Sequence, residues 1–158
     1  MVLLALKDKL TGLDNQNQFA ISFQNSVNHN IEQRRNFSLL VLDLDKFKQI
    51  NDQFGEQSAN LVLTSFAKIL SDCIRFRDQV FRYGDEQFTI LLNDADEMSI
   101  PYIIDRIDKA VMDNSLLLEF NVSCRIGSAD YKKNDDLSSL FERAEQDLDQ
   151  AYEKMKMA

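Results

Sequence analysis

With 158 residues the chain fits one domain able to bury roughly two-thirds of its unfolded surface. Eighteen Lys and Arg against 26 Asp and Glu leave a net charge of −8. That balance argues against a nucleic-acid duplex or an anionic membrane as main partner, but it leaves room for a small phosphorylated ligand held by local cations.

The apolar run Val2–Leu6 is far too short to span a bilayer and no signal peptide is evident; residues 1–7 read as the end of an entering helix. Asp14 or Asn15 can cap a helix running to about Arg35, with Phe19, Phe23, Val27 and Ile31 recurring on one face. Phe37–Leu44 is a compact run of strand formers suited to the centre of a sheet. A short helix follows from Lys46 and stops at Gly55. A long one over Glu56–Ile74 turns Leu61, Leu63, Phe66, Ile69 and Leu70 inward.

Val80–Tyr83 and Phe88–Leu92 read as a hairpin, and Asp94–Glu97 as an acidic loop. Ser99 caps a helix to about Asp113, Phe120–Ser128 alternates as a half-buried strand, and an amphipathic helix runs from Leu137 to the end. The order predicts an α/β (α+β) sandwich, a mostly antiparallel sheet flanked by helices. The phenylalanines read as core, and Cys73 and Cys124 as buried reduced thiols of a cytoplasmic domain, free-standing or attached to a membrane anchor. His29 reads as exposed filler, and Ser65, Ser123 and Ser128 have no histidine for a triad.

Two carboxylates, Asp43 and Asp45, end the central strand on one face. Such an end suits Mg²⁺, which takes hard oxygen ligands and substrate phosphates, and Glu86 at the hairpin tip can complete the site if the strands are neighbours. The plainer alternative is that Asp43 caps the helix after it.

Three ordered stretches carry a family likeness: Asp8–Phe19 (DKLTGLDNQNQF), Asp43–Gly55 (DLDKFKQINDQFG) and Arg82–Phe88 (RYGDEQF). Together they resemble the motifs of the GGDEF (diguanylate cyclase) family, whose hairpin reads Arg-Tyr-Gly-Gly-Asp/Glu-Glu-Phe. The resemblance implies a nucleotide-cyclase palm-like fold over residues 1–158. It also implies Mg²⁺ held by Asp43, the Leu44 carbonyl and Glu86, Lys48 on phosphates, and Asn51 on the guanine edge. In the family two domains face each other and join two GTP molecules into cyclic di-GMP, which implies a homodimer.

The chain departs from that pattern where it matters most. Asp85 stands at the second glycine, adding bulk and negative charge toward a polyphosphate. Gln87 replaces the second acid, and a neutral amide serves as neither carboxylate ligand nor base. Asn60 stands for a guanine-binding Asp, Tyr152 for a phosphate-contacting Lys, Gln16 and Asn17 for paired arginines, and the closing Gly-Arg-Asn is absent, with Lys156 near its arginine. Glu86, Asp85 and Gln87 thus form a degenerate signature.

Arg75-Phe76-Arg77-Asp78 lies at the family's distance from the signature and matches its Arg-x-x-Asp inhibitory site, with Arg106 as second arginine. The resemblance implies a cyclic di-GMP site, since guanidinium forks and faces suit guanine and phosphate, and Asp78 can accept from guanine N–H groups. Four readings stay open. They are a catalytically retired cyclic di-GMP receptor regulating an attached domain, a weakly active cyclase using Mg²⁺, a GTP-binding module, and a scaffold. The neighbour expected in a full-length protein is a phosphodiesterase or sensor domain.

Overall fold

The computed structural model describes residues 5–96 and 98–157, apart from the side chains of Tyr152 and 154–157. Most of the entering-helix expectation, and the side chains of Tyr152 and Lys156, therefore lie outside the described residues. Helix α1 (Gln16–Gln33) begins at Asn15, whose side chain accepts from the N–H groups of Asn17 and Gln18. Strand β1 (Phe37–Asp45) is followed by α2 (Phe47–Phe54) and α3 (Glu56–Cys73). Gly55 joins these two helices at φ 89°, a conformation that side chains resist and glycine does not. Strands β2 (Gln79–Arg82) and β3 (Gln87–Asn93) form the hairpin, and α4 (Ser99–Asp113), α5 (Ser115–Glu119), β4 (Ser123–Asp130) and α6 (Leu137–Met157) complete the chain.

The sheet has the order β2-β3-β1-β4 and every pairing is antiparallel. Side-chain alternation along β1 divides the core in two. Leu40, Leu42 and Leu44 face a layer containing Val62, Phe66 and Leu70 of α3 and Ile103 and Ile107 of α4. Leu39 and Val41 face Phe19 and Phe23 of α1 and Leu140, Ala144 and Leu148 of α6. Helices therefore cover both faces of the sheet, as expected. Gly127 lets α6 lie against β4: a Cβ there would stand 2.2 Å from the Ala144 carbonyl oxygen and 2.4 Å from the Leu148 nitrogen.

Several sequence expectations are corrected. Ile31 is 70% exposed, because each step of four residues drifts about 40° around a helix and three steps carry it off the buried face. Leu61 is 54% exposed; it sits about 160° from Leu63, while Ala59, Val62, Leu63 and Phe66 form the buried stripe. Phe54 and Phe76 are exposed rather than core. Asp96, not Ser99, caps α4, accepting from the N–H groups of Met98 and Ser99. The last strand starts at Ser123 because Asn114 caps the short helix α5, and Phe120 closes it by donating to the Leu116 carbonyl. Both cysteines are free; Cys73 is buried and Cys124 half-buried.

Candidate functional site

Asp43 is the centre of the site because two registers meet on it. It lies opposite Gln87 across the β1–β3 ladder and opposite Arg125 across the β1–β4 ladder. Directly paired residues project to the same face, so Gln87, Asp43 and Arg125 form a row across three strands. Gln87 flanks the Asp43 carboxylate from the β3 side, and Arg125 Nη2 stands 3.9 Å from Asp43 Oδ2. Burial pushes the Asp43 carboxyl above its ordinary range. The Arg125 charge and the Gln87 amide oppose that shift, and the nearby Asp149 charge adds to it.

The hairpin tip closes next to this row. Backbone N–H groups of Tyr83 and Gly84 both donate to the Gln87 carbonyl, at 2.8 and 3.0 Å, and Leu44 N donates to Glu86 O at 3.1 Å. Residues 84–86 are exposed. Asp85 is not among the residues of positive φ, so the backbone accepts a side chain there without strain. Whatever Asp85 costs falls on a ligand and not on the fold.

Arg82 ties the tip to the start of the domain. Its guanidinium donates to the carbonyls of Gly84 (3.2 Å) and Asp85 (2.7 Å) and to both Asp8 oxygens (3.1 and 3.2 Å). Asp8 also accepts from the backbone and hydroxyl of Thr11. This connection between the opening motif and the signature was not foreseen; an acid and an arginine 74 positions apart leave no local signal in the sequence.

Two open pockets abut at Asp85 and Glu86. One of about 330 Å³ is lined by Asp43, Leu44, Gly84, Asp85, Glu86, Gln87 and Arg125. The other, of about 400 Å³, includes Lys48, Asn51, Glu56, Asn60 and Arg82. The structure thus brings Asp43, Leu44, Glu86, Lys48, Asn51 and Asn60 around one cleft. Glu56 and Arg125 are additions. Arg125 is the one basic residue of β4, but only the register with Asp43 gives it meaning.

Mg²⁺ takes octahedral oxygen coordination at about 2.0–2.1 Å. Among the described residues no three His, Cys, Asp or Glu side chains come together closely enough to hold a metal. The expected ligand Asp43 already faces a guanidinium on one side and an amide on the other. This arrangement does not fit a divalent cation.

The second site lies at the other end of the sheet, where α3 gives way to β2. Asp78 is fully buried as a side chain and accepts four hydrogen bonds. Its Oδ2 takes Arg75 N (3.0 Å) and Nε (2.8 Å), and its Oδ1 takes Arg75 Nη2 (3.0 Å) and Asn93 N (3.2 Å). The expectation that Asp78 accepts from guanine is corrected accordingly, because its oxygens are spent on holding Arg75. Arg75 also donates to the Asn93 carbonyl at 3.2 Å and keeps 22% of its side chain exposed.

Arg75 lines an open pocket of about 330 Å³ with Met98, Ser99 and Tyr102. Phe76 beside it is 99% exposed. Arg106 donates to the Asp72 carbonyl at the end of α3 and lies over the Tyr102 ring, 5.7 Å from its centroid. Arg75 and Arg106 are therefore both anchored at the C-terminal end of α3, amid exposed aromatic surface.

An antiparallel sheet in this strand order, covered by helices on both faces and with an acidic turn beside the end of its central strand, defines a nucleotide-cyclase palm-like domain. The family model described as "Diguanylate cyclase, GGDEF domain" matches residues 5–158, and the chain belongs to the GGDEF family. It is 32% identical over 151 residues to the diguanylate cyclase DgcS of Shewanella oneidensis, covering 96% of this chain and 51% of that protein. It is 35% identical over 144 residues to the diguanylate cyclase DgcM of Escherichia coli, covering 89% of this chain and 34% of that one. The chain thus spans about half or less of the curated relatives it matches. In fold it is similar to the GGDEF domain of DgcB from Caulobacter crescentus, solved in complex with c-di-GMP. The TM-score is 0.87 at 24% identity, covering 98% of this chain and 94% of that one. Among the described residues no helix is long and apolar enough to cross a membrane.

Proposed function

We propose that this domain is a cyclic di-GMP receptor without cyclase turnover, regulating a domain attached to it. The observation that carries this reading is the surface at the end of α3. There a buried carboxylate holds Arg75 beside a fully exposed Phe76, with Arg106 lying over the Tyr102 ring close by. Flat guanidinium and aromatic faces are the chemistry that grips a guanine base, and phosphates pair with the same cations. Asp78 acts in this reading as the part that positions Arg75.

Diguanylate cyclases of the family work on GTP with Mg²⁺. Against turnover in this chain stand Gln87 beside Asp43, where a second acid is expected, Asp85 at the tip, and Asn60 in the guanine pocket. A neutral amide cannot replace a carboxylate as ligand or base. The retained Lys48, Asn51 and Asn60 around one pocket favour a second reading, GTP binding as an input signal. Regulation in either case acts on a neighbour, a phosphodiesterase or sensor domain, or on a second copy of this domain facing it.

Isothermal titration of the domain with cyclic di-GMP tests the first reading. Binding is expected, and Phe76→Ala should weaken it roughly five- to thirtyfold, as stacking contributions of about 1–2 kcal/mol predict. No heat at tens of micromolar protein, or equal affinity in Arg75→Ala, would refute it. A thermal-shift panel with GTP, GDP and cyclic di-GMP separates the second reading, because only a ligand of the folded state raises the melting point. Product from GTP with Mg²⁺ or Mn²⁺ on chromatography would refute the loss of turnover.

A further inference from the structure

The pocket at the end of β1 is acidic in composition, yet its central carboxylate is not left to attract an ion from solution. Its lining includes three carboxylates, Asp43, Asp85 and Glu86, and the guanidinium of Arg125. Glu145 and Asp149 of α6 add their charge to the same region, each felt by Asp43 or its neighbours. A concentration of carboxylates like this draws a cation. We propose that Arg125 is that cation: built into the sheet opposite Asp43, it takes the place a divalent metal would need, so that the pocket of Asp43, Leu44 and Glu86 excludes Mg²⁺ and Mn²⁺.

Three observations support the assignment. Register makes Arg125 and Asp43 directly opposed residues on adjacent strands, so their side chains share a face by construction. Both side chains are about three-quarters buried, 25% and 23% exposed, with Nη2 and Oδ2 3.9 Å apart. A doubly charged ion seated on the same carboxylate would meet the guanidinium at close range, in surroundings that screen the repulsion poorly. The other flank is occupied by Gln87, opposite Asp43 across the β1–β3 ladder, so that a neutral amide stands where a second carboxylate ligand would be needed. A guanidinium stays charged at every accessible pH, so the exclusion is permanent and needs no trigger.

Manganese titration followed by electron paramagnetic resonance, which reads the free ion, tests the proposal without nucleotide. It can therefore fail while the cyclic di-GMP reading stands, and the reverse. Because the net charge of −8 attracts ions diffusely, Asp43→Asn serves as the background. The unaltered domain is expected to take up no more Mn²⁺ than Asp43→Asn. Arg125→Ser should gain one site with affinity up roughly tenfold or more. Arg125→Lys, which keeps a cation, should stay at background, and Asp43→Asn combined with Arg125→Ser should lose the gained site. One Mn²⁺ bound by the unaltered domain and lost in Asp43→Asn would overturn the proposal, as would a folded Arg125→Ser with no gain. Should Arg125→Ser fail to fold, the comparison of the unaltered domain with Asp43→Asn decides alone.

Discussion

Removal of the Asp78 carboxylate is the most informative perturbation, because the position of Arg75 depends on it. Asp78→Ala deletes four hydrogen bonds, three from Arg75 and one from the Asn93 amide, at a side chain with no exposure. It leaves the Arg75 guanidinium with the Asn93 carbonyl and a 3.5 Å contact to the Ser99 hydroxyl. Breaking a buried ion pair from one side costs about 3–5 kcal/mol. Arg75 keeps about a fifth of its side chain in water. It can turn outward and recover part of its hydration, which brings the expected loss down to about 2–3 kcal/mol.

At about 2–4 °C per kcal/mol for a domain of this size, the melting temperature should fall by roughly 5–10 °C, read by circular dichroism. A double-mutant cycle with Arg75→Met should return a coupling of about 1–2 kcal/mol, since the two variants remove one interaction. A melting point within about 2 °C of the unaltered protein, together with coupling near zero, would refute the clamp.

Three further expectations concern the rest of the fold. Gly127→Ala drives a methyl into the backbone of α6, 2.2 Å from the Ala144 carbonyl oxygen, and should cost about 3 kcal/mol; unchanged urea unfolding would disprove the close seat of α6 on β4. The Thr89 hydroxyl is fully buried without a hydrogen-bond partner among the described residues, so Thr89→Val should stabilise by about 1 kcal/mol, and a lowered urea midpoint would contradict this.

The third concerns acid. The hydrogen bonds from Arg143, at 2.6 and 2.7 Å, hold the Asp135 carboxyl well below its ordinary 3.8. A group whose folded value is depressed contributes stability above the unfolded value and loses it as pH falls toward the folded one. Asp135→Asn should therefore cost about 1 kcal/mol from about pH 7 to about pH 5, with the gap closing below about pH 4; a gap that widens in acid would reverse the assignment.

The element order was legible because each element carries its own punctuation: Asn15 before α1, Gly55 between α2 and α3, and the apolar run of β1. The misplacements share a cause, which is that counting in fours or reading adjacent leucines ignores where a helix turns next. Ile31 and Leu61 left the core for that reason. The short helix α5 was missed because a run of three leucines states hydrophobicity without period, and only Asn114 signals the start.

At the site, the residues with local motifs (Asp43, Glu86, Lys48, Asn51 and Asn60) come to one cleft. What stayed hidden was pairing across strands. Arg125 acquires a role only from a β1–β4 register that no stretch of sequence encodes by itself, and Asp78 turned inward for want of any sign that Asn93 would meet it.

The bond between Arg82 and Asp8 has a mechanical consequence. Residues 5–15 are tied to the rest of the domain by the Asp8–Arg82 pair, the Asp14–Phe81 bridge and the packing of Leu10 and Leu13 on the core, and they lead through Asn15 into α1. The same guanidinium grips the two carbonyls at the hairpin tip. Asp8 is therefore linked to the backbone of Gly84 and Asp85 through a single side chain. The arginine works as a tie-rod between the opening motif and the rim of the cleft.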